Sequence, residues 1–73
     1  MEKEITISTP FIKLDALLKF ADIVGSGGEG KLLILDELVS VNGTVCTMRG
    51  KKCVPGDRVE TQGVTIFVRG ART

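Results

Sequence analysis

The apolar residues of this chain follow one spacing up to about residue 38 and a different spacing beyond it. Leu14, Leu17, Leu18 and Ala21 recur at the three- and four-residue intervals that place side chains on one face of an α-helix. From residue 39 onward apolar and polar residues alternate instead, which is typical of β-strands with one buried face. This change of period predicts an α+β fold, in which two packed helices are followed by a small, mostly antiparallel sheet.

The chain length fits a single domain over residues 1–73 and excludes large catalytic scaffolds. A chain of 73 residues is shorter than most domains, and a chain of this size buries only about 60% of its unfolded surface. A P-loop, Rossmann or TIM-barrel domain therefore does not fit. Hydrophobic residues make up 42% of the chain and charged residues 26%, which favours a folded protein over a disordered one.

Two helices are expected before residue 39. The first is predicted over residues 12–22, with Gly25 ending it. Ser26 and Glu29 have the spacing of a capping box, so a second helix is predicted over residues 27–37. At 100° per residue, the apolar residues of this second helix separate into two sets. The expected core face contains Gly30, Leu33, Ile34 and Leu38, and the opposite face contains Leu32 and Leu35.

The remaining residues are expected to form short strands joined by tight turns. Residues 3–7 alternate as in an edge strand, and Asn42-Gly43 is a strong hairpin signal between valines 39, 41 and 45. Residues 58–60 and 64–68 are expected to pair across Gln62-Gly63. Further turns are predicted at Arg49-Gly50 and Pro55-Gly56-Asp57. In the last strand Val64, Ile66 and Val68 are predicted to face the core, with Phe67 on the other face.

The formal net charge of +1 conceals two oppositely charged halves. Residues 1–40 carry four lysines against seven acidic residues, a net charge of −3. Residues 41–73 carry six basic residues against two acidic ones, a net charge of +4. A basic surface on the second half would attract polyanions such as nucleic acid.

Neither a metal site nor a membrane segment is expected. Cys46 and Cys53 cannot complete a four-ligand zinc site, since the chain contains no histidine. No secretory leader or apolar run of about 20 residues is visible, which predicts a cytoplasmic protein without membrane contact. Both thiols are then expected to be reduced and to pack as small hydrophobic groups, and no cofactor is expected.

The glycine-rich segment 25–31 resembles two nucleotide-binding patterns but fulfils neither. Gly25, Gly30 and Lys31 fit part of the P-loop, yet Leu32 stands where a Ser or Thr must bind Mg²⁺. The dinucleotide-binding fingerprint needs a preceding strand, whereas here a helix is predicted. Backbone N–H groups at the start of the second helix could still bind an anion, with Lys31 one turn away. The alternative is a tight turn between helices with a solvated lysine.

Several short motifs in order resemble the S-four domain, an RNA-binding module also called the αL motif. The resemblance covers about residues 5–66 and is greatest to its small stand-alone bacterial form, the YaaA/YbcJ-like proteins. It rests on Lys13-Leu14-Asp15 with Leu17-Leu18, on segment 26–31, Ile34 and segment 39–43, and on Arg49-Gly50-Lys51-Lys52 and Pro55-Gly56-Asp57. It implies binding of structured ribosomal or transfer RNA without catalysis. The RNA-binding positions that it implies are Lys13, Ser26, Gly27, Gly28, Lys31, Asn42, Arg49, Lys51 and Lys52.

The chain departs from the family pattern at four positions. Glu37 replaces the usual glycine after the second helix, so a non-glycine residue must form that C-cap. Met48 replaces a basic residue that relatives often carry, which removes a charge from the basic loop. Cys53 occupies a position that is usually apolar and is therefore expected to be buried. Cys46 occupies a position that is often polar and is expected to be the more exposed.

The residue types also limit the mode of RNA recognition. The chain has no Trp or Tyr, and Phe11 and Phe20 are expected in the core, so an aromatic platform for single strands is not expected. Recognition is expected to use phosphates, 2′-hydroxyls and shape. Alternatives remain: the basic loop could simply promote solubility, and the Asn42-Gly43 turn alone could explain Asn42.

A second hypothesis is a protein-interaction adaptor that uses the leucines on the outer face of the second helix. Leu32 and Leu35, with Leu38 as a third candidate, would form this surface. It could bind a ribosomal protein or a second copy of the chain in a weak homodimer. An enzyme is not expected, because the chain has no histidine and no arrangement of a nucleophile with a base.

Overall fold

A computed structural model describes residues 1–71 as two helices packed on a five-stranded sheet, with a separate two-stranded ribbon. The sheet order is β1-β7-β6-β3-β4, and β2 pairs with β5. The predicted α+β class with a mostly antiparallel sheet is confirmed, since only the β1–β7 pair among the described strands is parallel. The elements are β1 (Glu2–Ile7), β2 (Ile12–Lys13), α1 (Leu14–Phe20), α2 (Gly27–Leu35), β3 (Ser40–Val41), β4 (Thr44–Val45), β5 (Lys52–Cys53), β6 (Arg58–Thr61) and β7 (Val64–Gly70).

The first and last strands lie side by side, as a parallel pair. Ile5 pairs with Val68 and Ile7 with Gly70 along this register. The pairing continues beyond β1 and β7, because the Ala71 N–H donates to the Ile7 carbonyl at 2.8 Å. A parallel pair needs a long crossover connection, and here the intervening chain contains both helices. The expectation of an edge strand near residues 3–7 is confirmed.

Helix α1 is shorter than predicted, although its buried face is the predicted one. The four residues at helical spacing are all buried, but residues 12 and 13 form strand β2 and the helix ends at Phe20. The prediction that Gly25 ends it is wrong. Asp22 takes a φ of 62°, and the N–H of Ile23 donates to the Leu18 carbonyl at 3.0 Å, which together form a Schellman ending.

Helix α2 begins at the predicted cap and ends two residues early. The Ser26 hydroxyl accepts a hydrogen bond from the Glu29 N–H at 3.3 Å. The Glu29 carboxylate accepts from the Gly25 N–H at 3.1 Å, a variant of the capping box shifted by one residue. At the other end Glu37 adopts a φ of 62°, which confirms the expected non-glycine C-cap. The N–H of Leu38 then closes the turn on the Leu33 carbonyl.

This turn explains why one residue that was predicted on the core face of α2, Leu38, is not buried. Gly30 and Ile34 are buried and Leu33 is half-buried, as predicted, but Leu38 is exposed because the chain leaves the helix before reaching it. Leu32 and Leu35 are exposed, as predicted. Gly30 lets the helices approach closely, since a Cβ there would lie 3.4 Å from the Asp15 carbonyl oxygen.

The hairpin turns match their sequence signals. Asn42-Gly43 and Gln62-Gly63 both have positive φ at the two central residues, which defines a type I′ turn. The pairing of β6 with β7 follows the predicted hairpin. The turn at Arg49-Gly50 is closed by a hydrogen bond of 3.1 Å from the Lys51 N–H to the Met48 carbonyl.

The core lies between the helices and one face of the sheet. Ile66 and Val68 are buried, Val64 and Phe67 are half-buried, and Cys53 is fully buried, as expected. The prediction that Phe20 is a core residue is wrong, because it lies about 120° from Leu14 around α1 and is exposed. No helix within residues 1–71 has the length and apolar character needed to cross a membrane.

Candidate nucleic-acid interface

The basic loop, residues 48–52, is fastened to the beginning of α1 through its main chain. Helix α1 has no side-chain cap at Lys13, so its first N–H groups need other partners. The Leu14 N–H donates to the Lys51 carbonyl at 2.9 Å, and the Asp15 N–H donates to the Arg49 carbonyl at 3.2 Å. The loop carbonyls thus cap the helix, and the loop side chains take no part in this contact.

Lys13 lies beside this loop because β2 pairs with β5. The antiparallel register places Lys13 directly opposite Lys52 and Ile12 opposite Cys53. Like charges opposite each other on paired strands destabilise the pair, by up to about 1 kcal/mol. The Lys52 ammonium lies 4.9 Å from the centre of the Phe11 ring, a cation–π contact. Four cations therefore gather in one place, and we call Lys13, Arg49, Lys51 and Lys52 the basic cluster.

The basic cluster is exposed and its charges are not neutralised by the rest of the described chain. Within residues 1–71 the ion pairs are Arg58 with Glu60 and Arg69 with Glu4, each at 3.6 Å. No cation of the basic cluster takes part in one. Arg58 and Arg69 are thus paired with carboxylates, whereas the four positive charges of the basic cluster have no ion-pair partner among residues 1–71.

Helix α2 contacts the first turn of α1 through Gly30, which lies between the predicted positions Gly28 and Lys31. Gly30 packs against the Asp15 carbonyl, and Asp15 is the residue that binds the Arg49 carbonyl through its N–H. Ser26, Gly27, Gly28 and Lys31 are all exposed. Gly30 of α2 and the basic loop therefore contact the same residue of α1, Asp15.

Two glycines of this region have no explanation in the packing of the protein. A Cβ at Gly27 would meet no atom within 4 Å, and the same holds for Gly50. Neither residue has the positive φ that favours glycine. A Cβ at Gly28 would meet only the Ser26 hydroxyl, at an ordinary 3.8 Å. The fold would therefore tolerate a side chain at these positions, and the backbone there is more accessible than the fold requires.

The side chain of Asn42 is already engaged inside the protein. Its amide donates to the Asp57 carboxylate at 3.1 Å, and its oxygen accepts from the Arg58 N–H at 2.9 Å. Asp57 also accepts from the Val54 N–H at 2.9 Å. Asn42 therefore links two turns of the sheet, and contact with RNA stays a prediction. Sequence reasoning missed the Asn42–Asp57 pair, which joins two turn motifs 15 residues apart.

The two cysteines differ in environment as expected. Both are free thiols; Cys46 is half-buried and Cys53 is fully buried. Burial raises the pKa of the Cys53 thiol to about 11, and the negative charge of Asp57 adds to the effect. The Cys46 thiol lies 3.7 Å from the Met48 carbonyl oxygen, to which it donates.

Comparisons with known proteins identify the family of this chain. The sequence matches the family described as S4 domain over residues 5–69. It is also 39% identical, over 67 residues, to a protein of Bacillus subtilis (strain 168) named "Probable ribosome maturation protein RlbA". That alignment covers 92% of this chain and 94% of the relative. The family match over most of the chain and the identity to this relative show that the chain belongs to the S-four domain family of RNA-binding proteins.

Proposed function

We propose that this chain is a non-catalytic protein that binds structured RNA, namely ribosomal RNA or a ribosomal particle, and acts in ribosome assembly or translation. The observation that carries the proposal is the opposed pair of Lys13 and Lys52 within an exposed cluster of four cations. The fold gains nothing from placing these like charges together, whereas a polyanionic ligand would neutralise them. The ribosome maturation protein among its relatives supports a ribosomal target.

The cluster is suited to phosphate oxygens rather than to bases. Arg49 can bind a phosphate through two parallel hydrogen bonds, and the lysines add point charges around it. Lys31 and the backbone N–H groups of Gly27 and Gly28 extend the same surface to the start of α2. Shape and 2′-hydroxyl contacts would then distinguish a folded RNA from DNA.

Salt dependence of binding to a structured ribosomal RNA fragment tests this proposal. If three to five phosphates are neutralised, the slope of log K against log salt is expected to be about −2 to −4.5. The affinity should be measured at about 50 and 200 mM salt for the wild type and for the triple variant Arg49→Ala, Lys51→Ala, Lys52→Ala. The triple variant is expected to lose binding and to keep its fold by circular dichroism.

A matched control separates the site from the overall charge. The triple variant Lys19→Ala, Arg58→Ala, Arg69→Ala removes the same three charges from other exposed positions. It is expected to bind RNA much more strongly than the variant of the basic loop. Equal losses in the two variants would show that net charge alone governs binding, and this result would contradict the proposed site.

The exposed leucines of α2 favour a second candidate function, binding of a protein. Leu32, Leu35 and Leu38 are 61%, 52% and 53% exposed, and the exposed carboxylates of Asp36 and Glu37 border them. An apolar patch with an acidic rim is complementary to an apolar protein segment flanked by basic residues. This surface is compatible with RNA binding by the basic cluster.

Photo-crosslinking on a ribosomal particle tests the second candidate. A photoreactive residue at position 35 is expected to crosslink to protein, and the same residue at position 49 to RNA. Crosslinks from position 35 to RNA would contradict protein binding at the leucine patch. Sedimentation velocity at high concentration tests the homodimer version, which a monomer would exclude.

A further inference from the structure

A groove lies next to the basic cluster, between β4 and the basic loop. Its volume is about 290 Å³, and its lining includes Val45, Cys46, Met48 and Lys51. Two of these residues are apolar and largely open to solvent: Val45 is 50% exposed and Met48 66% exposed. The groove therefore combines apolar side chains with the polar residues Asn42 and Thr44 and with one cation, Lys51.

The walls of this groove are held in place without any ligand. The Cys46 N–H donates to the Val39 carbonyl at 2.9 Å, which fixes one wall to the start of β3. The Cys46 thiol and the Lys51 N–H both donate to the Met48 carbonyl, which fixes the other wall. A binding groove that is already formed loses less conformational entropy when it is filled.

We propose that this groove receives a single unstacked base of the bound RNA, while the basic cluster binds the phosphates on either side of that base. The inference rests on the RNA-binding function proposed above and adds the class of RNA, namely a helix interrupted by a bulged nucleotide. A nucleotide joins an apolar, polarisable face to an anion within a few ångströms, and the groove offers the matching pair of surfaces. The flexible thioether of Met48 suits contact with the edge or face of a base.

The chemistry of the surroundings favours a base over an apolar side chain of a protein. Lys51 lines the groove, and Arg49 and Lys52 flank Lys51 in sequence, so an occupant that carries negative charge is favoured. Proteins that read RNA sequence commonly bind bases that are splayed out of loops and bulges. This mode needs no aromatic platform when the base enters an aliphatic groove instead.

Two RNA hairpins test the inference directly: one is fully paired, and the other is identical except for one unpaired adenosine in its stem. The wild type is expected to bind the bulged hairpin more tightly, by about fivefold, which corresponds to about 1 kcal/mol of contact. The variant Met48→Ser is expected to lose this preference and to bind the paired hairpin as the wild type does. Met48 is exposed, so the substitution should not disturb folding.

The controls distinguish failure of this inference from failure of the proposed function. Leu35→Ser exchanges an equally apolar exposed residue outside the groove and is expected to keep the preference. A wild type that binds both hairpins equally, or a Met48→Ser variant that keeps the preference, would overturn the base-binding groove and leave RNA binding intact. A wild type that binds neither hairpin would overturn both.

Discussion

At Lys13 the stability of the fold favours a negative charge, whereas the proposed RNA ligand favours a positive one. Lys13 lies directly opposite Lys52 in the β2–β5 pair, and it is also the N-cap residue of α1, where a negative charge would be favourable. Lys13→Glu is therefore expected to raise the free energy of unfolding by about 0.5–1 kcal/mol. The same change should weaken RNA binding and reduce the magnitude of the salt slope by about 1.

Urea unfolding and salt-dependent binding measure these two effects separately. Lys13→Gln is the matched variant, since it removes the charge without reversing it. It should give smaller changes in both the free energy of unfolding and the RNA affinity. A loss of stability in Lys13→Glu would contradict the idea that repulsion between Lys13 and Lys52 is present in the free protein.

Cys53 makes stability depend on pH in the alkaline range. Its pKa of about 11 in the folded state lies above the usual value of 9.0, so the folded chain retains a proton that the unfolded chain loses. Between about pH 9 and pH 11 the unfolded state binds fewer protons, and the free energy of unfolding is expected to fall by about 2–3 kcal/mol. Below pH 9 this contribution is fully present.

A variant without the thiol isolates this contribution. Cys53→Ala should be less stable at neutral pH, because it leaves a cavity, but its unfolding free energy should fall less between pH 9 and pH 11. Chemical unfolding at several pH values gives the comparison. Parallel pH profiles for the two proteins would show that Cys53 does not titrate as its burial implies.

At the scale of the elements, α2 begins with glycines that its own stability does not require. Gly27 and Gly28 have open space for a methyl group and lack positive φ. Gly28→Ala is therefore expected to stabilise the protein by about 0.4–1 kcal/mol. If RNA approaches the helix backbone here, the same variant should bind RNA several-fold more weakly.

Thermal unfolding and RNA titration of Gly28→Ala provide the test, with Gly56→Ala as a control. Gly56 has a φ of +100°, so alanine at this position should destabilise the protein by strain. A Gly28→Ala variant that gains stability and keeps full RNA affinity would exclude a close backbone contact at the start of α2.

The elements also show which parts of the fold the sequence could predict. The buried face of α1 and both type I′ turns are local patterns, readable from residues a few positions apart. Both helices end two residues before the predicted ends, because Asp22 and Glu37 adopt the left-handed conformation that is expected of glycine. The ribbon of β2 and β5 was missed, since two-residue strands are too short to show alternation.

The candidate site was predictable in its residues but not in its arrangement. The density of charge at Arg49, Lys51 and Lys52 is visible in the sequence, and the family resemblance adds Lys13. The opposition of Lys13 and Lys52 depends on a pairing between distant segments, which no local pattern encodes. The groove beside Met48 likewise depends on how the basic loop packs against β4.

For the whole molecule, the parallel pairing of β1 with β7 makes the N-terminal strand an integral part of the fold, although it lies at the edge of the sheet. β1 supplies Ile7 to the core, and the Lys3 ammonium donates to the Ala21 carbonyl at the end of α1, at 2.8 Å. Removal of residues 1–7 is therefore expected to abolish cooperative unfolding, because it exposes the edge of β7 and opens the core.

Circular dichroism and thermal unfolding of the shortened chain check this expectation. Glu4→Gln is the matched control, since it removes only the exposed ion pair with Arg69 and should cost less than about 1 kcal/mol. A shortened chain that unfolds cooperatively near the wild-type temperature would show that β1 is an accessory strand.

The capping of α1 by carbonyl groups has a consequence for how this family can diversify. The main-chain path of residues 49–51 holds the helix, so the side chains of Arg49 and Lys51 are not needed for this contact. Mutation can then exchange them while the domain remains intact, provided that the loop keeps its length and turn. If the basic loop forms the proposed RNA site, exchange of this one short stretch should change the RNA target, and transplanting the loop between relatives should transfer specificity with it.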